Sequence, residues 1–352
     1  MSTATASAVT QPAPSLMLQE ALSAADCIAH QLTQDVERYA ELGATLRAAP
    51  LHSAVTVARG SSDHASNYLA YLIMARMGRL VTSLPMSLIT LYKSPIVARD
   101  TLAVAISQSG QSPDVVEPIR YFRAGGATTV ALVNDPASPL GDAAEWTMPL
   151  HAGPEKSVAA TKSFIASLVA GARLVANWQD SKELKDGVNA LPDALRAAAE
   201  VDWSAAIEVL APARNIMVVG RGISFPLALE SSLKFKETSA LQAEAFSGAE
   251  IKHGPMALIE EGYPLLVYAT RGPTQAGLVA LADEMRARGA RVLLAAPADV
   301  ASRDLLLPTA AIPDLDPITA VQAFYTMAAK LSAARGMNPD QPRHLSKVTR
   351  TN

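Results

Sequence analysis

One cysteine, Cys27, stands in a chain of 352 residues, which excludes an internal disulfide and any metal site built on several thiolates. No apolar run approaches the roughly 18 residues that a membrane-spanning helix needs. The opening residues, MSTATASAVTQPAPS, lack the basic start and apolar centre of a secretion signal. Positive charge is not concentrated anywhere: 30 Lys and Arg are spread along the chain against 33 Asp and Glu, for a formal net charge of −3. A nucleic-acid footprint calls for a basic patch or tail, so we expect neither nucleic acid nor membrane as a partner, and a cytoplasmic location. No GxGxxG, and no GxxxxGK followed by Ser or Thr, comes after an apolar strand, which removes the usual grounds for a nucleotide. What is present is a globular composition, 49% hydrophobic and 18% charged, with enough chain for one large or two ordinary domains.

Residues 1–15 are Ser, Thr, Ala and Pro with little to bury, and read as a disordered tail. From Met17 to Arg47, Leu18, Leu22, Ala25, Ile28, Leu32, Val36 and Tyr39 recur at helical spacing. Apolar runs then alternate with amphipathic segments. Strands are expected at Ala54–Val57, Val81–Leu84, Leu102–Ile106, Thr129–Val133 and Trp146–Pro149. After a helical region from Thr161 to about Glu208, more are expected at Ile216–Val219, Leu265–Tyr268, Arg291–Ala295 and Ala310–Ile312. Short continuous apolar strands separated by helices predict an α/β fold with parallel sheets covered on both faces.

Val57-Ala58-Arg59-Gly60-Ser61-Ser62 is echoed by Val219-Gly220-Arg221-Gly222-Ile223-Ser224, and the same offset carries Gly110 onto Gly272. The two halves read as a duplication of one unit, although coincidence between two generic α/β halves would also place glycines after strands. In an open parallel sheet, ligands sit beyond the carboxyl ends of the strands, where helix N-termini present free N–H groups. Two Ser-rich loops of the first half fall there: Gly60-Ser61-Ser62, and Ser107-Gln108-Ser109-Gly110-Gln111-Ser112. Hydroxyls, one amide and backbone N–H groups can wrap a phosphate without a full positive charge. The competing reading is that these serines simply cap helices. The second half is poorer in hydroxyls at the matching positions, so one phosphate site per chain is expected.

The densest polar constellation is ALESSLKFKETSALQAEAFSGAEIKHGPMALI, Ala228 to Ile259. On a helix opening at Pro226, Glu230, Lys234 and Glu237 share a face. Glu230 and Lys234 could form a solvated ion-pair ladder, whereas Glu237, followed by small and apolar residues, is expected to point inward. His253, before Gly254-Pro255, sits in a stiff turn that could present an imidazole or be purely structural. A carboxylate base, a titratable His and a phosphate site together suggest proton transfer on a phosphorylated small molecule.

The segments SQSGQSPD, GPEKSVAATKSF, LESSLKFKETSALQAEAFSGAEIKHGP and DQPRHLSK resemble the sugar isomerase (SIS) family from about Met17 to Lys347. Within it they are similar to the isomerase half of glucosamine-6-phosphate synthase and to stand-alone SIS-type deaminases. The resemblance implies two tandem, flavodoxin-like SIS domains: residues 16–200, with the N-terminal helices and the phosphate site, and 201–340, with the catalytic Glu and His. A tail at 341–352 carries Lys347. It also implies a homodimer and no metal or organic cofactor. By resemblance, Ser107, Gln108, Ser109 and Ser112 match the phosphate loop, and Gly60, Ser61 and Ser62 the second sugar-phosphate loop. Val158 and Ala160 match sugar contacts, and Glu237 the base that moves a proton between C1 and C2. His253 matches the ring-opening histidine supplied by the neighbouring subunit, and Lys347 the lysine at the open-chain carbonyl.

Two departures stand out: Ala160 replaces a family serine, and Arg59 a cysteine. With Ser2 after Met1 and no Cys before Cys27, no glutamine hydrolysis is expected. The resemblance implies conversion of glucosamine 6-phosphate and water to fructose 6-phosphate and ammonia. A fructosamine-phosphate deglycase, a galactosamine-6-phosphate deaminase, a plain phosphosugar isomerase and a non-catalytic sugar-phosphate sensor stay open.

Overall fold

In the computed structural model, which describes residues 14–347, three helices come first: α1 (Leu16–Leu22), α2 (Ala24–Thr33) and α3 (Val36–Ala48). The first sheet and its helices follow as β1 (Ser53–Val57), α4 (Ser61–Met77), β2 (Leu80–Ser83), α5 (Ser87–Thr90), β3 (Thr101–Ser107), α6 (Pro113–Ala124), β4 (Thr128–Val133), α7 (Pro139–Ala143) and β5 (Trp146–Pro149). Helices α8 (Lys162–Gln179), α9 (Lys182–Asn189), α10 (Leu191–Ala199) and α11 (Ser204–Leu210) lead to the second sheet. That unit is β6 (Asn215–Gly220), α12 (Phe225–Ser239), β7 (Gln242–Ser247), β8 (Pro264–Tyr268), α13 (Gln275–Ala287), β9 (Arg291–Ala296), β10 (Leu305–Leu306) and α14 (Asp316–Ala334).

All strand pairs are parallel. The sheet orders are β2-β1-β3-β4-β5 and, read from the same edge, β7-β6-β8-β9-β10. Both units therefore follow one doubly wound topology, with the chain reversing direction between their first and third strands. The central strands are buried on both faces, and successive residues serve different cores. Leu102, Val104 and Ile106 face a large core shared with α4, α8, α12 and α14, while Ala103 and Ala105 face α6. The second sheet divides likewise, with Val218, Leu266 and Tyr268 in the shared core and Val219 and Val267 under α13. Helices α4 and α12, each following the first strand of its unit, pack against each other. That contact brings the loops of the first unit against a helix of the second.

Two expectations for the strands need correction. Ala310–Ile312 is not a strand, because its backbone is claimed by side chains: Ala310 N donates to Asp316 Oδ1 (3.0 Å), and Ala310 O accepts from Arg271 (2.6 Å). The edge strand is β10 instead. Gln242–Ser247, read as part of a polar constellation, is a strand at the other edge and pairs only with β6. Of the tail expected at 1–15, only Pro14 and Ser15 lie among the described residues, and Ser15 caps α1 by accepting from Leu18 N. Residues 348–352 of the expected C-terminal tail lie outside them. No described helix is long and apolar enough to cross a membrane.

Gly60 and Gly110, at the two crevice loops, both have positive φ (55° and 63°). At Gly110 space is the tighter limit: a Cβ would lie 2.0 Å from Ser138 Oγ and 2.6 Å from Ser138 Cβ. Gly110→Ala should therefore cost about 1–3 kcal/mol in urea unfolding. Ser138→Gly in the same chain should recover the steric part and leave the backbone part. An unchanged midpoint for Gly110→Ala would show that the loop is not held as described.

Candidate active site

The chain reversal between β1 and β3 opens a crevice flanked by the two Ser-rich loops. In the first loop, Gly60 precedes α4, Ser61 and Ser62 form its first turn, and all four of Ser61 to His64 are partly exposed. In the second, Ser107 Oγ accepts from Gly110 N (3.0 Å) and Ser109 Oγ from Gln111 N (3.4 Å), so these hydroxyls shape the loop. Ser112 is the N-cap residue of α6, yet its side chain makes no capping bond. The capping explanation thus fails for the serine best placed for it. Gln108 and Ser112 are partly exposed beside the N-terminal turn of α6, a position suited to an anion.

Ser61 turns the other way. Its hydroxyl donates to Glu230 Oε1 (3.1 Å), and one turn on, His64 Nδ1 lies 2.9 Å from Glu230 Oε2. Tyr325, from α14, donates to Glu230 Oε1 (2.8 Å). Lys234 Nζ, one turn along α12, is 3.5 Å from Glu230 Oε1 and 2.5 Å from Glu237 Oε2. The ladder that could have been solvated is instead sealed: the side chains of Glu230 and Lys234 are 0% and 1% exposed, while that of Glu237 is 20% exposed. Burial alone would push the Glu230 carboxyl up, but Lys234, then His64 and Tyr325, hold it below its ordinary range. Burial likewise works against the charge on Lys234, and Glu230 and then Glu237 more than restore it, raising its pKa.

A second carboxylate, Glu155, lies in the loop between β5 and α8. It accepts from Thr161 N (2.9 Å), Ser163 N (3.2 Å) and the Ser163 hydroxyl (2.5 Å). Lys347 Nζ donates to Glu155 Oε2 (3.1 Å) and to Ser157 O (2.7 Å), which docks the C-terminal segment on this loop. Despite burial, Lys347 and the Ser163 and Thr161 donors keep Glu155 below the usual carboxylate range. Its charge also adds, as a smaller cause behind Glu230, to the upward pull on the pKa values of Lys234 and Tyr325. Val158 and Ala160 sit on the same loop, partly exposed, with Val158 N donating to Asp340 O (3.2 Å).

The structure therefore links Ser61 to Glu237 through Glu230 and Lys234, and Lys347 to the loop of Val158 and Ala160 through Glu155 and Ser157. His253 is not drawn in. It is exposed on a helical turn, Glu250–His253, and Gly254 after it has φ 136°. The 480 Å³ cleft beside Glu237, lined also by Thr238, Met337, Asn338, Gln341 and Arg343, does not include it. Larger clefts lie elsewhere; one of 510 Å³ runs along Asn215, Pro264 and Arg291, at the amino ends of the strands and far from the loop crevice. Among the described residues no grouping of His, Cys, Asp and Glu is suited to a metal ion. Sequence reading missed His64, Glu155 and Tyr325. His64 lies one turn beyond the first loop, and Glu155 within GPEKSVAATKSF, so both carried a positional signal; Tyr325 carried none.

The SIS domain family model matches residues 49–176 and 209–299, one stretch over each sheet. The chain belongs to the SIS family. Among curated relatives, glutamine–fructose-6-phosphate aminotransferase (isomerizing) of Aeropyrum pernix is 34% identical over 354 residues, 95% of this chain and 57% of the relative. The Zymomonas mobilis protein of that name is 33% identical over 83% of this chain and 51% of its own length. This SIS chain thus spans about half the length of the curated relatives it matches. A crystal structure from Silicibacter pomeroyi, of a protein assigned as a phosphosugar isomerase, is 37% identical, with a TM-score of 0.89 over 93% of this chain and 100% of its own. Glucosamine-6-phosphate deaminase of Thermotoga maritima, 21% identical with a TM-score of 0.77 over 96% of this chain and 100% of its own, shares the fold.

Removing Lys234 would leave Glu230 buried and short of its main counter-charge. Lys234→Met should cost about 3–5 kcal/mol, and Glu230→Gln in the same chain should return much of it. Urea titrations of the two single variants and the double variant measure this, and additive losses would refute the coupling. Glu155 and Glu230 have folded-state pKa values below the unfolded 4.5. Their stability contribution is complete above pH 4.5 and declines as pH falls from there through the lower folded values. Lys234, raised above 10.5, loses its contribution as pH climbs through that range. A urea midpoint flat from pH 5 down to pH 3 would contradict the acid limb.

Proposed function

We propose that this chain is a phosphosugar isomerase that deaminates an amino-sugar phosphate, converting glucosamine 6-phosphate and water to fructose 6-phosphate and ammonia. The observation that carries this reading is the continuous polar path from the first crevice loop to Glu237: Ser61 to Glu230, Glu230 to Lys234, Lys234 to Glu237. It ties an anion-suited crevice to a partly exposed carboxylate whose orientation is fixed by a buried ammonium. The relatives named for fructose 6-phosphate and phosphosugars support the substrate class.

In this reading the phosphate lies against Ser62, Gln108, Ser109 and Ser112 and the start of α6. Binding there positions the far carbons, so remote binding energy lowers the barrier to proton transfer. Once the ring is open, the Glu237 carboxylate takes the proton from C2, giving an enolamine. Delivery of that proton to C1 leaves an imine at C2; water adds to C2 and ammonia departs. Lys347 is assigned to the oxygen at C1, where an ammonium offsets charge that develops during enolisation. Val158 and Ala160 contact the sugar. His253, exposed and outside the Glu237 cleft, is assigned to ring opening in the site of a second copy of the chain.

Purified protein given glucosamine 6-phosphate should release ammonia and fructose 6-phosphate, with galactosamine 6-phosphate slower. Glu237→Gln should lower the rate about 10²–10⁴-fold without loss of fold. Mixing Glu237→Gln with His253→Ala subunits should restore about a quarter of wild-type activity, since each mixed dimer keeps one intact site. Silence of the wild type with both sugars would reject the deaminase, and no recovery on mixing would reject the shared site.

A further inference from the structure

Neutral groups supply the donors of the proposed phosphate crevice, and Lys234 and Lys347 are both engaged with carboxylates behind it. Arg59 supplies a cation beside it. Arg59 lies two residues past β1, just before Gly60, and its Nη2 lies 3.0 Å from Asp114 Oδ2 in the first turn of α6. A single side chain thus crosses from the loop after β1 to the helix after β3, over the place where the chain reverses. The Arg59 side chain is 55% exposed against 11% for Asp114. A pair this wet contributes little to folding stability, so the fold gives scant reason for it.

The second unit shows, in the other loop of its chain reversal, what a structural arginine looks like; Arg221, which matches Arg59 in the duplication, is likewise exposed. Arg271, after the third strand of that unit, engages Asp316 through Nε (2.9 Å) and Nη2 (2.6 Å) and also donates to Ala310 O. Asp316 is fully buried, and the guanidinium is locked on several partners. Arg59 uses one nitrogen on Asp114, which leaves most of its fork of five donors available. A phosphate beside Ser109 and Ser112 would bring more charge than one carboxylate and would accept two parallel N–H bonds.

We propose that Arg59 reads the charge of the ligand's phosphate, resting on Asp114 in the empty crevice and turning to the phosphoryl oxygens when they arrive. The proposal rests on the phosphosugar reading above and goes beyond it by naming a cation that selects phosphorylated over neutral sugars. Asp114 then has a defined part: it parks the guanidinium and competes with the ligand for it.

Titration calorimetry of the full chain with inorganic phosphate and with glucosamine 6-phosphate tests this. Arg59→Ala should weaken both ligands about tenfold to a hundredfold, a loss that shrinks as salt rises, and Arg59→Lys should keep part of the affinity. Asp114→Asn should tighten binding, and that gain should shrink markedly in the Arg59→Ala background. Equal losses from Arg59→Ala and Asp114→Asn would overturn the proposal and make the pair a loop brace. So would an Arg59→Ala protein that binds like wild type while Ser109→Ala does not. If wild type binds neither ligand, the phosphate reading of the crevice fails first and the role of Arg59 with it.

Discussion

The buried pairing of Glu230 with Lys234 is the constraint on which the rest of the site depends. Two charges without water are costly to place, and their mutual attraction offsets that cost only when the remaining bonds are satisfied. Here the satisfaction comes from three directions: Ser61 and His64 of the first unit, Tyr325 of α14, and Glu237 further along α12. An apolar pair of equal volume would pack α4 against α12 as well. It would not fix the crevice loop, α14 and Glu237 in one mutual register, and that register is what the ion pair specifies.

This explains why much of the architecture was legible in the sequence and the assembled site only partly. Strands such as Leu102–Ile106 are apolar on every residue because both faces are covered, and their Gly and Ser ends mark the loops without reference to anything distant. Gln242–Ser247 was not legible. Its outer flank has no neighbouring strand, so Gln242 and Glu244 stay exposed, and only pairing with β6 makes the segment extended. The sealing of Glu230 and Lys234 was hidden for a related reason. Spacing places them on one face of a helix, but whether water reaches that face depends on α4 and α14, the latter almost a hundred positions along the chain. Lys347 carried no signal beyond the resemblance of DQPRHLSK, and its place beside Glu155 follows from the docking of the C-terminal segment on the loop between β5 and α8.

One topology used twice has produced one crevice suited to a ligand, and hydrogen bonding accounts for the difference. In the second unit the hydroxyls at the chain reversal and the guanidinium of Arg271 are engaged internally. Ser224 accepts from Arg221 N and donates to Arg221 O, its hydroxyl wholly buried. Thr274 Oγ1 donates to the same carbonyl, and Arg271 is fastened to Asp316. A crevice whose polar groups already satisfy one another gains little by admitting an anion, since each new bond would replace an existing one. In the first unit Ser112 caps nothing, and the one Arg at the mouth holds a single exposed partner bond. Its unmet capacity lies beside the N-terminus of a twelve-residue helix, whose partial positive charge is of the sign an anion requires. In the proposed function the second unit, whose own loops are satisfied internally, supplies α12 and with it Lys234 and Glu237. In that reading the division of labour between the two units follows from which one left more hydrogen-bonding capacity at its loops.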